Sequence, residues 1–170
     1  NWRNLARTLQ HRGKATEALQ FARESLKLQR QRNGVDSRPY ALALRELALA
    51  ERATGDDAAA EAHLREGAAL VQRLSASGGG TYGWKIPYAD LLVAKGRCGE
   101  ALPLLDASLA ELAKGDARQN PLWRPQADLL LAHCQTVLGQ HASKERVQEA
   151  RRILRALPGI EYDLYPTARR

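Results

Sequence analysis

The 170-residue chain carries 26 basic and 19 acidic side chains for a net charge of +7, is 44% hydrophobic, and contains one Phe, three Trp and no Met. Its apolar content is mostly Ala and Leu, which favours closely packed helices over a sheet core, and no apolar run reaches the roughly 18 residues of a membrane span. Two cysteines, Cys98 and Cys134, are too few for a disulfide scaffold in a chain that can bury a core without one, so reduced thiols and a cytoplasmic setting are expected.

In chain order, the first helix is predicted from about Trp2 to Arg12, ending at Gly13. The second runs from about Ala15 to Arg32, with Ala15, Ala18, Leu19, Ala22, Leu26 and Gln29 on one face and Asn33-Gly34 as a left-handed exit. Ser37 as N-cap and Pro39 in the first turn open the third helix, which lasts to about Thr54. After Gly55, Asp56 caps the fourth, whose inward stripe is Ala60, Leu64, Gly67, Ala68, Val71 and Leu74. The run of Ser75 to Gly80, with three consecutive glycines, is a loop. The fifth helix is placed from about Trp84 to Gly96 so that Pro87 falls in its opening turn, an earlier start requiring a kink. Cys98-Gly99-Glu100 leads into the sixth, with Ala101, Leu105, Ser108, Leu109 and Leu112 inward and Gly115 as its stop. Asn120-Pro121 starts the seventh, or Arg124 does if Pro125 is to lie in the first turn, and Leu138-Gly139 ends it. The eighth ends at Leu157-Pro158-Gly159. Beyond it, Ile160, Tyr162, Leu164 and Tyr165 interleave with Glu161 and Asp163 in a tail that reads as extended.

These helices repeat. Leu5-Ala6, Leu47-Ala48, Tyr88-Ala89 and Leu131-Ala132 recur 42, 41 and 43 residues apart. In the first three copies a second alanine (Ala18, Ala60, Ala101) follows after 12 residues, with Gly13, Gly55 or Gly96 between. In the fourth the step from Ala132 to Ala150 is 18 residues, which places six extra residues near His141 to Arg146. Each unit is therefore helix, glycine turn, helix. The fold class expected is all-α, a helical-hairpin repeat solenoid of about four hairpins, with units near 2–34, 37–75, 82–115 and 120–157 and a tail over 158–170. Such an array offers an extended surface and no enclosed pocket.

Trp2-x-x-Leu5-Ala6-x-x-Leu9, followed by Ala18-x-x-x-Ala22, resembles the tetratricopeptide repeat pattern, in which small residues let the two helices of a hairpin approach closely. Later copies match less fully, Leu replacing most of the family's Tyr and Phe. The period of about 42 is similar to the longer units of kinesin light chains and many bacterial signalling proteins, against 34 for the commonest form. The resemblance covers about residues 2–157. It implies a right-handed superhelix and a non-enzymatic protein-protein interaction module without cofactors, whose first helices line a concave groove for a peptide or partner domain. It also implies the sensory or scaffolding part of a larger bacterial signalling protein, such as a Ser/Thr kinase or regulator. The opening Asn1 and the lack of Met fit a piece of such a protein.

In the repeat register, Arg3, Arg7, Arg45, Leu49 and Arg52 face the groove in units one and two, and Ile86, Asp90, Val93, Leu129 and His133 do so in units three and four. The groove is then basic at one end and mixed or apolar at the other, which suits an acidic peptide held by bidentate arginine contacts. The charge distribution agrees: residues 1–32 carry eight basic and two acidic side chains, 33–143 eleven and thirteen, and 144–170 seven and four. A nucleic-acid-binding helical domain using the Arg-rich ends is the alternative, opposed by the net acidic middle and by the scarcity of aromatic stacking platforms.

Other constellations are weaker. Gly78-x-Gly80-x-x-Gly83 follows a helix instead of a strand, and Trp84 intervenes before Lys85, so neither a dinucleotide loop nor a P-loop is formed. Cys98, His133, Cys134 and His141 lack short metal-ligand spacings and are read as packing residues. His11 and His63 have no carboxylate or nucleophile pattern beside them, and the carboxylates are expected singly on solvated faces. The tail over 160–166 has two readings: a cap on the open apolar face of the last hairpin, or an acidic strand that enters a basic groove. The register itself is testable, because Ala48→Trp should overfill a helix crossing and lower Tm, whereas an unchanged thermal transition would disprove it.

Overall fold

The chain is represented by a computed structural model that describes residues 14–74, 81–114 and 122–156. It divides into two compact units, Asn1–Gly79 and Gly80–Arg170. The first holds α1 (Ala15–Asn33), α2 (Arg38–Ala53) and α3 (Asp57–Leu74). The second holds α4 (Tyr82–Ala94), α5 (Cys98–Lys114), α6 (Trp123–Val137) and α7 (Lys144–Ala156). Among the described residues every regular element is a helix, and within each unit consecutive helices pack together, α4 also meeting α6. The fold is an all-α helical repeat. The helix predicted near 2–12, the loop over 75–80, Gly115, Asn120-Pro121 and the tail lie outside the described residues.

The repeat register is visible as burial. The second-helix alanines Ala18, Ala60, Ala101 and Ala150 are at most 2% exposed. Four residues on stand Ala22, Leu64, Leu105 and Leu154, all buried, and seven on stand the small buried residues Ser25, Gly67 and Ser108. Offsets of zero, four and seven fall on one helix face, so each second helix presents one stripe to its neighbours. Ser108 is accommodated because its hydroxyl donates to the Leu104 carbonyl at 2.6 Å. On the first helices Ala48, Ala89 and Ala132 are buried in turn. Each fully buried Leu in these stripes contributes roughly 1.5–3 kcal/mol through removal of apolar surface from water.

The hairpin turn is also repeated. Gly55, Gly96 and Gly139 have φ of +88°, +72° and +70°. In each turn the glycine N–H bonds the carbonyl three residues back, and the following N–H reaches five back: Asp56 to Glu51 at 2.9 Å, Arg97 to Leu92 at 2.8 Å, and Gln140 to Gln135 at 2.7 Å. Carbonyls left over at the end of each first helix are thereby satisfied. Asp56 then caps α3 by accepting from the Ala59 N–H at 3.1 Å, and Ser37 caps α2 by accepting from Tyr40 at 3.3 Å. In the last hairpin α7 starts five residues after Gly139, whereas α3 and α5 start two after theirs. Three of the six extra residues thus lengthen the loop and three lengthen the helix ahead of Ala150, with Ser143 accepting from the Arg146 N–H at 3.4 Å.

Several expectations need correction. Helix α4 starts at Tyr82, so Pro87 lies inside it, and Pro103 lies inside α5 in the same way. The residue four back is glycine in both cases, Gly83 and Gly99, whose backbone most readily yields to the displacement a proline ring imposes on that carbonyl. Pro125 is the third residue of α6, where its missing N–H has no intrahelical partner to lose. Gly34 has φ 72° and ψ 172°, a glycine conformation other than the left-handed helical exit expected. Leu74 is 41% exposed, so the α3 stripe ends at Val71. A Cβ would meet no atom within 4 Å at Gly55 or at Gly99, and only Gly55 has positive φ. Gly55→Ala should therefore destabilise by about 1 kcal/mol, measured by urea unfolding.

Candidate functional site

Arg45, Leu49 and Arg52 stand on α2 at intervals of four and three residues, which places them on one helix face. All three are half-buried, while Leu44, Leu47, Ala48 and Glu51 beside them are buried. The Arg45 guanidinium donates to Glu46 at 2.9 Å, with the two side chains 17% and 3% exposed. Much of its charge is thus committed to an internal carboxylate. Asp90 on α4 and His133 on α6 directly follow Ala89 and Ala132, as Leu49 follows Ala48, and both are half-buried. Asp90 and His133 therefore hold equivalent positions on two helices that meet within the second unit. Arg3 and Arg7 lie outside the described residues.

Ile86 and Leu129, in the register of Arg45, are core residues and do not line a groove. Ile86 is fully buried in the cluster of Leu92, Ala101, Leu105 and Leu131. Leu129 packs on Ala150 and Leu154, because an apolar side chain in this register gains more by closing against α7 than by facing water. Val93 packs partly buried against the larger cluster.

The carboxylates are not all solvated, contrary to expectation. Glu46, Glu51 and Glu61 are buried. Glu51 lies 2.7 Å from His63 Nδ1 and ties α2 to α3, and Glu61 accepts from Arg65 at 3.1 Å. In the second unit Glu111 of α5 caps the start of α4. It accepts from the Thr81 N–H at 2.9 Å, the Tyr82 N–H at 3.0 Å, the Thr81 hydroxyl, and Lys85 Nζ at 2.6 Å. Burial pushes the Glu111 carboxyl up, but Lys85 and Thr81 outweigh it and hold it below the ordinary value. Asp128 lies 3.4 Å from Arg146 and 3.9 Å from Arg124, yet its own burial leaves it raised. Cys98 and Cys134 are both buried with their sulfurs 2.6 Å apart, and burial together with the neighbouring thiol pushes Cys134 up to about 12. Among the described residues no group of three or more His, Cys, Asp or Glu converges as a metal site, so His133 and His141 do not join the cysteines.

Sequence reasoning missed these ties for identifiable reasons. Glu51 falls four residues after Leu47 and seven after Leu44, and Glu111 borders Leu112 on the α5 stripe, so phase was the available signal. Periodicity read from apolar residues alone passes over a carboxylate in the same phase.

The model of the family described as tetratricopeptide repeat matches residues 1–73. Residues 1–73 carry tetratricopeptide repeat sequence. The second unit shows the same glycine-turned hairpins beyond the matched residues. Among solved structures, a kinesin-light-chain-type protein of Podosopora anserina with nearly identical tetratricopeptide-like repeats is similar at a TM-score of 0.71 and 24% identity, over 91% of this chain and 70% of its own. BtubC (BKLC) from P. vanneervenii is similar at a TM-score of 0.75 and 20% identity, over 94% of this chain and 64% of its own. At these identities the likeness concerns the fold. No curated protein matches the chain. Tetratricopeptide repeats are interaction modules, generally non-enzymatic, and among the described residues no helix is long and apolar enough to cross a membrane.

The Glu111 cap generates a pH dependence. A folded-state carboxyl held below its unfolded value of about 4.3 stabilises fully above that pH, and the contribution is lost as pH falls through the lowered value. Glu111→Ala, which leaves Thr81, Tyr82 and Lys85 without this acceptor, should destabilise by about 1–3 kcal/mol at neutral pH. Glu111→Gln should lose less and should flatten the acid limb of a Tm-against-pH curve.

Proposed function

We propose that the tetratricopeptide domain binds an acidic peptide segment along its first helices, with Arg52 and Arg45 as the cationic contacts and Leu49 as the apolar one. The observation that carries this reading is the shared face of α2, on which Arg45, Leu49 and Arg52 stay half-exposed amid buried neighbours. Arg3 and Arg7, candidates from the sequence spacing, belong to the same reading. Within the second unit, Asp90 and His133 hold the repeat position of Leu49 and are taken as a separate candidate contact pair. The setting we infer is the scaffolding part of a larger cytoplasmic signalling protein of bacterial type.

A peptide array scored by net charge, followed by titration calorimetry of the best binders, tests the proposal. Acidic peptides should bind preferentially, with Kd rising as salt rises. Arg52→Ala and Arg45→Ala should each weaken them by roughly 3–10-fold, corresponding to about 1 kcal/mol for a partly exposed charge contact. No acidic preference removes the reading, and tight salt-sensitive binding of DNA or RNA by the same variants replaces it with nucleic-acid binding.

A further inference from the structure

Cys98 and Cys134 come from different hairpins of the second unit. Cys98 is the first residue of α5, and Cys134 lies in the last turn of α6. Both side chains enter the apolar cluster of Ile86, Leu92, Ala101, Leu105 and Leu131, where they are 2% and 0% exposed. Their sulfurs stand 2.6 Å apart. A disulfide is about 2.05 Å long, so a further approach of only about 0.5 Å separates this thiol contact from a bond. Each sulfur is already turned to the other by the packing of α5 against α6.

We propose that Cys98 and Cys134 form a disulfide that staples the α4–α5 hairpin to the α6–α7 hairpin, closed by thiol-disulfide exchange with a small-molecule disulfide. The order of the steps follows from access. Cys134 is wholly enclosed in the middle of the cluster, whereas Cys98 begins a helix between the exposed Gly96 and Gly99, where opening of one turn uncovers it. Cys98 loses its proton to solvent and attacks one sulfur of the small disulfide. That S–S bond breaks, one small thiol leaves with a proton, and a mixed disulfide remains on Cys98. Cys134 then loses its proton and attacks the Cys98 sulfur, expelling the second small thiol. Two electrons pass from the protein thiols to the small disulfide, which becomes two thiols.

Burial shields either cysteine from an external reagent, and the same burial holds its partner in place to resolve the mixed disulfide. The bond would close a loop across 36 sequence positions, so it restricts the unfolded chain strongly. None of the residues assigned to peptide binding takes part, and the proposal does not depend on that reading.

The test uses the full 170-residue chain incubated with oxidised glutathione. Expected are an intact mass lower by two hydrogens, no retained glutathione, no alkylation by iodoacetamide after unfolding, and a Tm raised by roughly 10 °C that dithiothreitol reverses. Cys98→Ala and Cys134→Ala should each abolish the Tm rise. The mass and alkylation results on the unsubstituted chain stand even where a variant fails to fold. Two thiols still alkylatable after unfolding, a glutathione adduct that persists on either cysteine, a disulfide to a second copy, or an oxidised form with unchanged Tm would each overturn the staple.

Discussion

How closely two helices can approach at an alanine governs the rest of this structure. Ala18, Ala60, Ala101 and Ala150 on the second helices, and Ala48, Ala89 and Ala132 on the first, are all buried. A methyl group there lets the backbones come close, so that the Ala or Leu four residues beyond and the Ser or Gly seven beyond are buried on the same face. A larger residue would force rotamers and backbone apart along the whole stripe, since close-packed interiors transmit a volume change instead of absorbing it. The recurrent glycine turn serves the same constraint. Gly55 and Gly96 return the chain with three residues between helices and Gly139 with six, so each second helix starts beside its partner.

Polar side chains complete the contacts that apolar packing leaves open. Glu111 joins α5 to the first turn of α4, where backbone N–H groups have no partners within the helix. Glu51 and His63 join the two halves of the α2–α3 hairpin. Neighbouring repeats can be alike in apolar content and yet be fixed by different ion pairs, because only the alanine stripe has to recur.

For binding, the consequence lies in what the stripe leaves outward. A first helix uses its alanine flank for packing and keeps one further face, occupied in α2 by Arg45, Leu49 and Arg52 and in the second unit by Asp90 and His133. The packing positions recur while the outward positions vary, and in the proposed function it is the outward positions that set ligand preference. Arg45 shows the limit of that separation, since its half-buried guanidinium also serves Glu46.

The all-α repeat, its period, the glycine turns and the caps at Ser37 and Asp56 were legible in the sequence, because each depends on local spacing or local backbone chemistry. So was the shared face of Arg45, Leu49 and Arg52, which follows from helical geometry alone. The interior placement of Pro87 was not, since a glycine four residues earlier in a packed helix changes what a proline does there. Nor was the burial of Ile86 and Leu129, because identical register positions can face a ligand or a neighbouring helix according to what packs beside them. The buried glutamates, the Glu111 cap and the meeting of Cys98 with Cys134 were decided only by tertiary structure. Their partners lie 4 to 36 residues away, or on the adjacent residue of a helix whose other contacts exclude water, and one-dimensional spacing carries no record of which side chains packing will bring into contact.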